Sequence, residues 1–254
     1  MYKLVSLDLD GTLLNSNSEL SVKNKNALDK CFDNELEIVI ATGRPPRFTF
    51  DFIPKAYTDN YCVCYNGAVI YHENKIIFEK LIQAKLVEAL IVSFSKEKLI
   101  IESRQGVYSN FSIEHPWESL AYKDINQVDD QTSVYKILII NPSDAVLTTI
   151  DNLYKDDLYM VTTDNGNYIE LMHKEVSKLN AVQFISEREG FSLEEVVAFG
   201  DDLNDMEIIN GVGYGVCMEN GHDDLKQVAD HVTVSNDLDG VSYVLTKIIE
   251  ANNE

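Results

Sequence analysis

Two aspartates, Asp8 and Asp10, stand at the end of an apolar run in residues 3–14, KLVSLDLDGTLL. Leu4, Val5 and Leu7 predict a buried strand, and Gly11-Thr12 break the pattern into a turn. In an open α/β sheet, the place just past a strand's carboxyl end is where ligands bind. Alternation along a strand sets residues i and i+2 on one side, so the two carboxylates are expected to converge on one reactive centre. An Asx-rich turn closing a strand accounts for the pair when it is taken alone.

A second acidic group, Gly200-Asp201-Asp202-Leu203-Asn204-Asp205, directly follows the apolar stretch 195–199. Carboxylates this close beside a buried strand repel one another unless a cation or extensive solvation offsets them. The preference of helix N-termini for Asp and Asn explains one or two of the four acidic or amide residues. A hard cation held through oxygen, Mg2+, explains the whole set. Asp202 receives no catalytic role. Thr42-Gly43-Arg44 end another apolar stretch, 37–41, and precede Pro45-Pro46. Asn66-Gly67-Ala68 end a third stretch at 61–65. Ser177 is a good N-cap for a helix over 178–189 that Gly190 can end, which puts Lys178 in its first turn. A lysine there opposes the helix dipole, and a phosphate between the two would reconcile them. A strand-end hydroxyl for Thr42 and a solvated surface lysine for Lys178 are the plainer readings. His115, His173 and His222 have no partners at ligand spacing and are read as structural or surface residues.

The elements that must position these groups fall into two textures. Residues 1–81 read as strand, helix from Ser21 with Leu28, Cys31 and Phe32 recurring at helical spacing on one face, strand 37–41, strand 61–65 and a hairpin of 69–71 with 76–78. From about Gln83 come an amphipathic helix carrying Val87, Leu90, Ile91 and Phe94, then strands at 99–103 and 107–110. A polar irregular stretch through His115, Pro116 and Asp130 follows, then strand 134–140, helix 143–154 and strands 158–163 and 168–172. This segment predicts an inserted α+β module with a largely antiparallel sheet. After residue 176 the first texture resumes, with strands at 195–199, 214–218 and 231–234 alternating with helices, which implies right-handed crossovers and a parallel sheet. The expected fold is therefore α/β, a Rossmann-like parallel-sheet core at 1–81 and 176–254 with an α+β insert at 82–175.

At 254 residues, 45% hydrophobic and 25% charged, the chain can bury a sizeable core in one large domain or two smaller ones. A formal charge of -21 opposes nucleic acid and anionic membranes, so neither is expected as a partner. No apolar run is long enough to span a bilayer and no basic n-region precedes the first strand; a soluble, unexported, cytoplasmic protein is expected. Cys31, Cys62, Cys64 and Cys217 lack zinc spacing and read as buried thiols.

DLDGTLL at 8–14, ATGR at 41–44, VSK at 176–178 and GDDLND at 200–205 resemble the four motifs of the haloacid dehalogenase superfamily. Their order, YNGA at 65–68 and the insertion between the second and third motifs resemble its Cof-type sugar-phosphatase branch with a C2B cap. The resemblance implies Mg2+-dependent hydrolysis of small phosphorylated metabolites, sugar phosphates above all. It implies Asp8 as nucleophile, forming an aspartyl-phosphate, and Asp10 as the group that protonates the leaving alkoxide and then deprotonates water. It further implies Thr42 and Lys178 on the phosphoryl oxygens with the backbone N–H of Gly43, and Arg44, Asn66 and Asn204 toward substrate. Mg2+ would be held by Asp8, the Asp10 carbonyl, Asp201 and Asp205. The insert would close over the site and choose the substrate, with Glu102, Arg104 and Tyr108 on its strands. Where relatives often carry Gly after the motif lysine, this chain has Leu179. Phosphomannomutases share the architecture, so a phosphosugar mutase is the enzymatic alternative, and a catalytically silent ligand sensor is the alternative from another class. The oligomeric state is not legible.

Overall fold

A computed structural model describes residues 1–113, 121–163 and 166–252. His115 and Pro116 lie outside the described residues. The chain divides into two units, a core of Met1–Glu79 with Ser177–Glu254 and an insert of Lys80–Val176.

The core starts with β1 (Leu4–Leu7), all four residues buried, followed by a turn over Leu9–Leu13. The N–H groups of Leu13 and Leu14 donate to the carbonyls of Asp8 (3.2 Å) and Leu9 (2.9 Å), so the strand ends at Leu7 and the turn, not strand alternation, sets both aspartates. Helix α1 (Val22–Asp33) is capped by the Ser21 side chain, which accepts from Asn24 N–H, and buries Leu28 and Cys31. Phe32, expected on that face, is half exposed and stacks on Tyr57 instead. Then come β2 (Glu37–Ala41), two short helices absent from the sequence reading, α2 (Arg47–Phe50) and α3 (Lys55–Thr58), β3 (Tyr61–Cys64), β4 (Val69–His72) and β5 (Lys75–Glu79).

The insert runs α4 (Ala84–Ser93), β6 (Lys98–Ser103), β7 (Gly106–Ser109), β8 (Tyr122–Asp124), β9 (Val134–Ile140), α5 (Asp144–Leu153), β10 (Leu158–Thr163) and β11 (Tyr168–His173). The core resumes with α6 (Lys178–Glu189), β12 (Val196–Gly200), α7 (Met206–Gly211), β13 (Tyr214–Cys217), α8 (Asp223–Val228), β14 (His231–Val232) and α9 (Gly240–Asn252). Among the described residues, no helix is long and apolar enough to cross a membrane.

The core sheet has the order β14-β13-β12-β1-β2-β3-β4-β5, parallel from β14 to β3 and closed by the antiparallel strands β4 and β5. Its inner strands are buried on both faces, as the unbroken apolar runs required. The insert sheet, β10-β11-β9-β6-β7-β8, is antiparallel except for β7 beside β8. Its apolar core gathers Val87, Leu90 and Phe94 of α4, Val146 and Ile150 of α5, and Ile101, Ile137, Ile139 and Leu171 of the strands. Tyr108 belongs to that core, in register with Ile101, whereas Glu102 points to the other face. Arg104 is not on a strand; it sits in the β6–β7 turn, its N–H donating to the Ser133 carbonyl at 3.0 Å.

Candidate active site

β1 and β12 are neighbours in register, Leu7 beside Phe199, so Asp8 and the turn after Gly200 leave the sheet side by side. Asp8 N–H extends the ladder to the Phe199 carbonyl at 3.1 Å. Gly11, at φ 74°, lets the first turn come against Asp201, because a Cβ built there would lie 2.2 Å from Asp201 Oδ2. Thr12 Oγ1 donates to Asp201 Oδ1 at 2.9 Å, tying the two turns together.

Lys178 is not a solvated surface lysine. The Ser177 hydroxyl caps α6 by accepting from Asn180 N–H, and Gly190 ends the helix in the left-handed conformation. Lys178 itself is 1% exposed, and its Nζ donates to Asp8 Oδ1 and Asp205 Oδ1, each at 2.6 Å. Asp205 is fixed further by the N–H groups of Asp201 (3.2 Å) and Asp202 (3.3 Å), which both donate to its Oδ2. Asp202 serves the turn, its carboxylate accepting from Leu203 N–H at 2.8 Å. Leu179, in place of the common glycine, packs against Gly211.

Oxygens of Asp8, Asp201 and Asp205 lie within 4.8 Å of one another, with a single buried ammonium among them. Burial pushes the Asp8 carboxyl well above its ordinary range; Lys178 pulls it down, and Asp205 and Asp201 push it further up. Burial, and then repulsion from Asp205, raises Asp201 to about 7 despite the Thr12 bond. Burial alone would lower Lys178, but Asp205 and Asp8 outweigh it and hold the ammonium above its usual range. A set of hard oxygen donors with excess negative charge fits a divalent cation such as Mg2+.

The remaining expected residues fall into two groups. Thr42 is buried, its hydroxyl accepts from Arg44 N–H at 3.1 Å, and its carbonyl accepts from Asn66 N–H at 3.0 Å. Asn66, buried and at φ 57°, takes a bond from Asn204 Nδ2 on its Oδ1 at 2.9 Å and lies against Gly43. These link the loops after β2, β3 and β12. Asp10 and Arg44 form the other group. Asp10 does not share Asp8's partners; its carboxylate is exposed and pairs with the Arg44 guanidinium. His173 and His222 accept loop N–H bonds from Glu175 and Asp224. All four cysteines are buried and free. Sequence reasoning missed Thr12 as a tie to Asp201 and Gly67 as a close approach, where a Cβ would meet the Ser177 carbonyl at 2.3 Å. The Gly and Thr within the motifs were the available signals.

The family described as haloacid dehalogenase-like hydrolase matches residues 5–245. The Bacillus subtilis phosphatase YwpJ is 26% identical over 285 residues, which cover 97% of this chain and 100% of that protein. The B. subtilis 5-amino-6-(5-phospho-D-ribitylamino)uracil phosphatase YcsE is 26% identical over 250 residues, covering 96% of this chain and 94% of its own. A Thermotoga maritima crystal structure is 28% identical and superposes with a TM-score of 0.84, covering 97% of each chain.

Proposed function

The chain belongs to the haloacid dehalogenase-like hydrolases, and from that premise we propose that it is a Mg2+-dependent phosphatase of small phosphorylated metabolites, sugar phosphates above all. The observation that carries the reading is the buried Lys178, bonded to two of three clustered carboxylates just past the carboxyl ends of β1 and β12. A site this acidic can take a phosphate only if its excess charge is offset. Asp8, the Asp10 carbonyl, Asp201 and Asp205 would hold Mg2+, which supplies Lewis-acid neutralisation of phosphoryl oxygens when bound.

The chain's own residues account for the rest. Asp8 is the nucleophile: its free oxygen bonds phosphorus as the bond to the leaving oxygen breaks, giving an aspartyl-phosphate. Lys178 holds one carboxylate oxygen of Asp8, and Lys178, the Thr42 hydroxyl and the Gly43 N–H would bind the phosphoryl oxygens. Asp10 gives a proton to the leaving alkoxide and later takes one from water. Asn66 and Asn204, bonded to each other, fix the substrate side of the loops, and the Arg44 side chain stands apart from them, paired with Asp10. Residues 1–81 and 176–254 are assigned as the catalytic core and 82–175 as a C2B-type cap.

The name of YcsE specifies a phosphorylated ribityl chain, a phosphomonoester on a polyol, which supports the substrate class. Hydrolysis is favoured over mutase chemistry by the insert's charge. Residues 82–175 hold 8 Lys plus Arg against 15 Asp plus Glu, and Arg104 is their only arginine. A mutase needs a cationic clamp for a second phosphate, best made of arginine forks.

The test is phosphate release from a panel of phosphorylated metabolites. Release is expected with Mg2+, absent in EDTA and restored by excess Mg2+. Undiminished release in EDTA after dialysis would remove the metal assignment. If hexose 1,6-bisphosphate drove interconversion of the 1- and 6-phosphates faster than phosphate appeared, the mutase reading would replace hydrolysis.

A further inference from the structure

Arg44 is anchored on every side within the core unit. Its Nε–H and Nη2–H donate to the two carboxylate oxygens of Asp10 at 2.7 and 2.5 Å, and its Nη1–H donates to the Phe48 carbonyl at 3.0 Å. The guanidinium carbon lies 4.7 Å from the centre of the Phe52 ring. Its main chain is held as well, the N–H by Thr42 Oγ1 and the carbonyl by Tyr65 N–H, each at 3.1 Å. The Arg44 side chain is 16% exposed and that of Asp10 is 56% exposed. A pair with so solvated a partner adds little to stability, so the fold alone gives no reason for this much fixing. The reason must lie in what Asp10 does.

A fork of two N–H donors fits a carboxylate whose two oxygens both accept, and a carboxyl with a proton on one of them cannot receive both bonds as well. Under the mechanism proposed above, on which this inference rests, that is the form in which Asp10 faces water in the second half of the reaction. We infer that Arg44 is a positioning residue for Asp10, holding its carboxylate in the orientation that takes the proton from the attacking water. In that step the water oxygen bonds phosphorus as the bond from phosphorus to the Asp8 oxygen breaks. The electron pair returns to the Asp8 carboxylate, and Asp10 receives the proton.

4-Nitrophenyl phosphate separates the two halves, because its phenolate leaves without needing a proton. Arg44→Ala is expected to release a burst of about one nitrophenolate per protein and then turn over at least ~10-fold more slowly than the parent protein. Arg44→Lys should recover part of the loss, since an ammonium can donate to either oxygen but not as a planar fork. Phe52→Ala, which removes only a half-exposed ring, should move the post-burst rate in the same direction by less. Asp10→Asn is the reference and should show the same burst. If Asp10→Asn bursts while Arg44→Ala raises KM with no burst, Arg44 is a substrate contact, the inference fails and the mechanism stands. If 32P-labelled 4-nitrophenyl phosphate leaves no label in protein for Asp10→Asn, the Asp10 reading fails and this inference with it.

Discussion

In the core three carboxylates crowd around one buried ammonium, whereas in the insert Lys136 on β9 meets Glu170 on β11 at 2.7 Å, with Glu102 opposite it in register on β6. The insert's charges sit in mid-strand, placed by sheet register. The core's charges sit on turns beyond strand ends, held by caps and by one another, and two of those carboxyls are raised in consequence. Charge that is matched where it lies is explained by the fold. Charge left in excess by residues that the fold goes to some length to bury marks a place for a ligand.

Four changes can break or sharpen that contrast. Asp8→Asn should cut phosphate release by ~10⁴-fold or more, since no other group takes over the covalent step. The same change should raise the melting temperature of the metal-free protein by relieving crowding, and a fall would place Asp8 with the matched pairs. Lys178→Met should cost ~10²–10³-fold in kcat and lower the melting temperature, as the three carboxylates lose their shared cation. Glu170→Gln withdraws a carboxylate from the insert's buried ammonium and should destabilise by about 2 kcal/mol in urea titrations, with the EDTA sensitivity of turnover unchanged. The last change is in pH and is read on stability alone. The folded state binds a proton on Asp201 more tightly than the unfolded chain does, with a pKa of about 7 against 3.8. The stability that Asp201 contributes to the metal-free protein should therefore decline as pH rises between those values and be gone above about 7, and Asp8, raised by the same burial, adds to the decline in the same direction. Melting curves across neutrality read it, and saturating Mg2+ should remove the decline by replacing the proton.

Strand ends were legible because apolar runs that stop at Asp8, Thr42, Asn66 and Gly200 have one reading in a parallel sheet, and the α6 cap was legible because Ser177 and Gly190 bracket a helical period. Partners across the chain were not. Nothing local to Asp10 announces Arg44, whose side chain is held by the Phe48 carbonyl in α2, a short helix set by Pro46 with no periodic signal of its own, and by the Phe52 ring that follows it. β8 was missed because Tyr122, Lys123 and Asp124 are all exposed and show no alternation. Phe32 and Tyr108 show the limit of spacing arguments: one was expected inside and lies half out, the other was placed on a strand with its face left open and fills the insert's core. Periodicity assigns a face, and only the neighbouring elements decide what covers it.

β1, the strand that delivers Asp8, lies between β2 and β12. During synthesis its β2 edge is satisfied almost at once, but its other edge waits until nearly the whole chain has emerged. Every strand of the insert is made in that interval, from one continuous stretch. Domains fold as units in the order in which they are made, and long-range parallel pairing is the slow step. Asp8 is therefore set late, when β12 docks and the Phe199 carbonyl receives its N–H. A chain truncated at Gly190 is expected to give a protease-resistant insert alongside a still-cleavable amino-terminal segment, which limited proteolysis of the truncated protein would read directly.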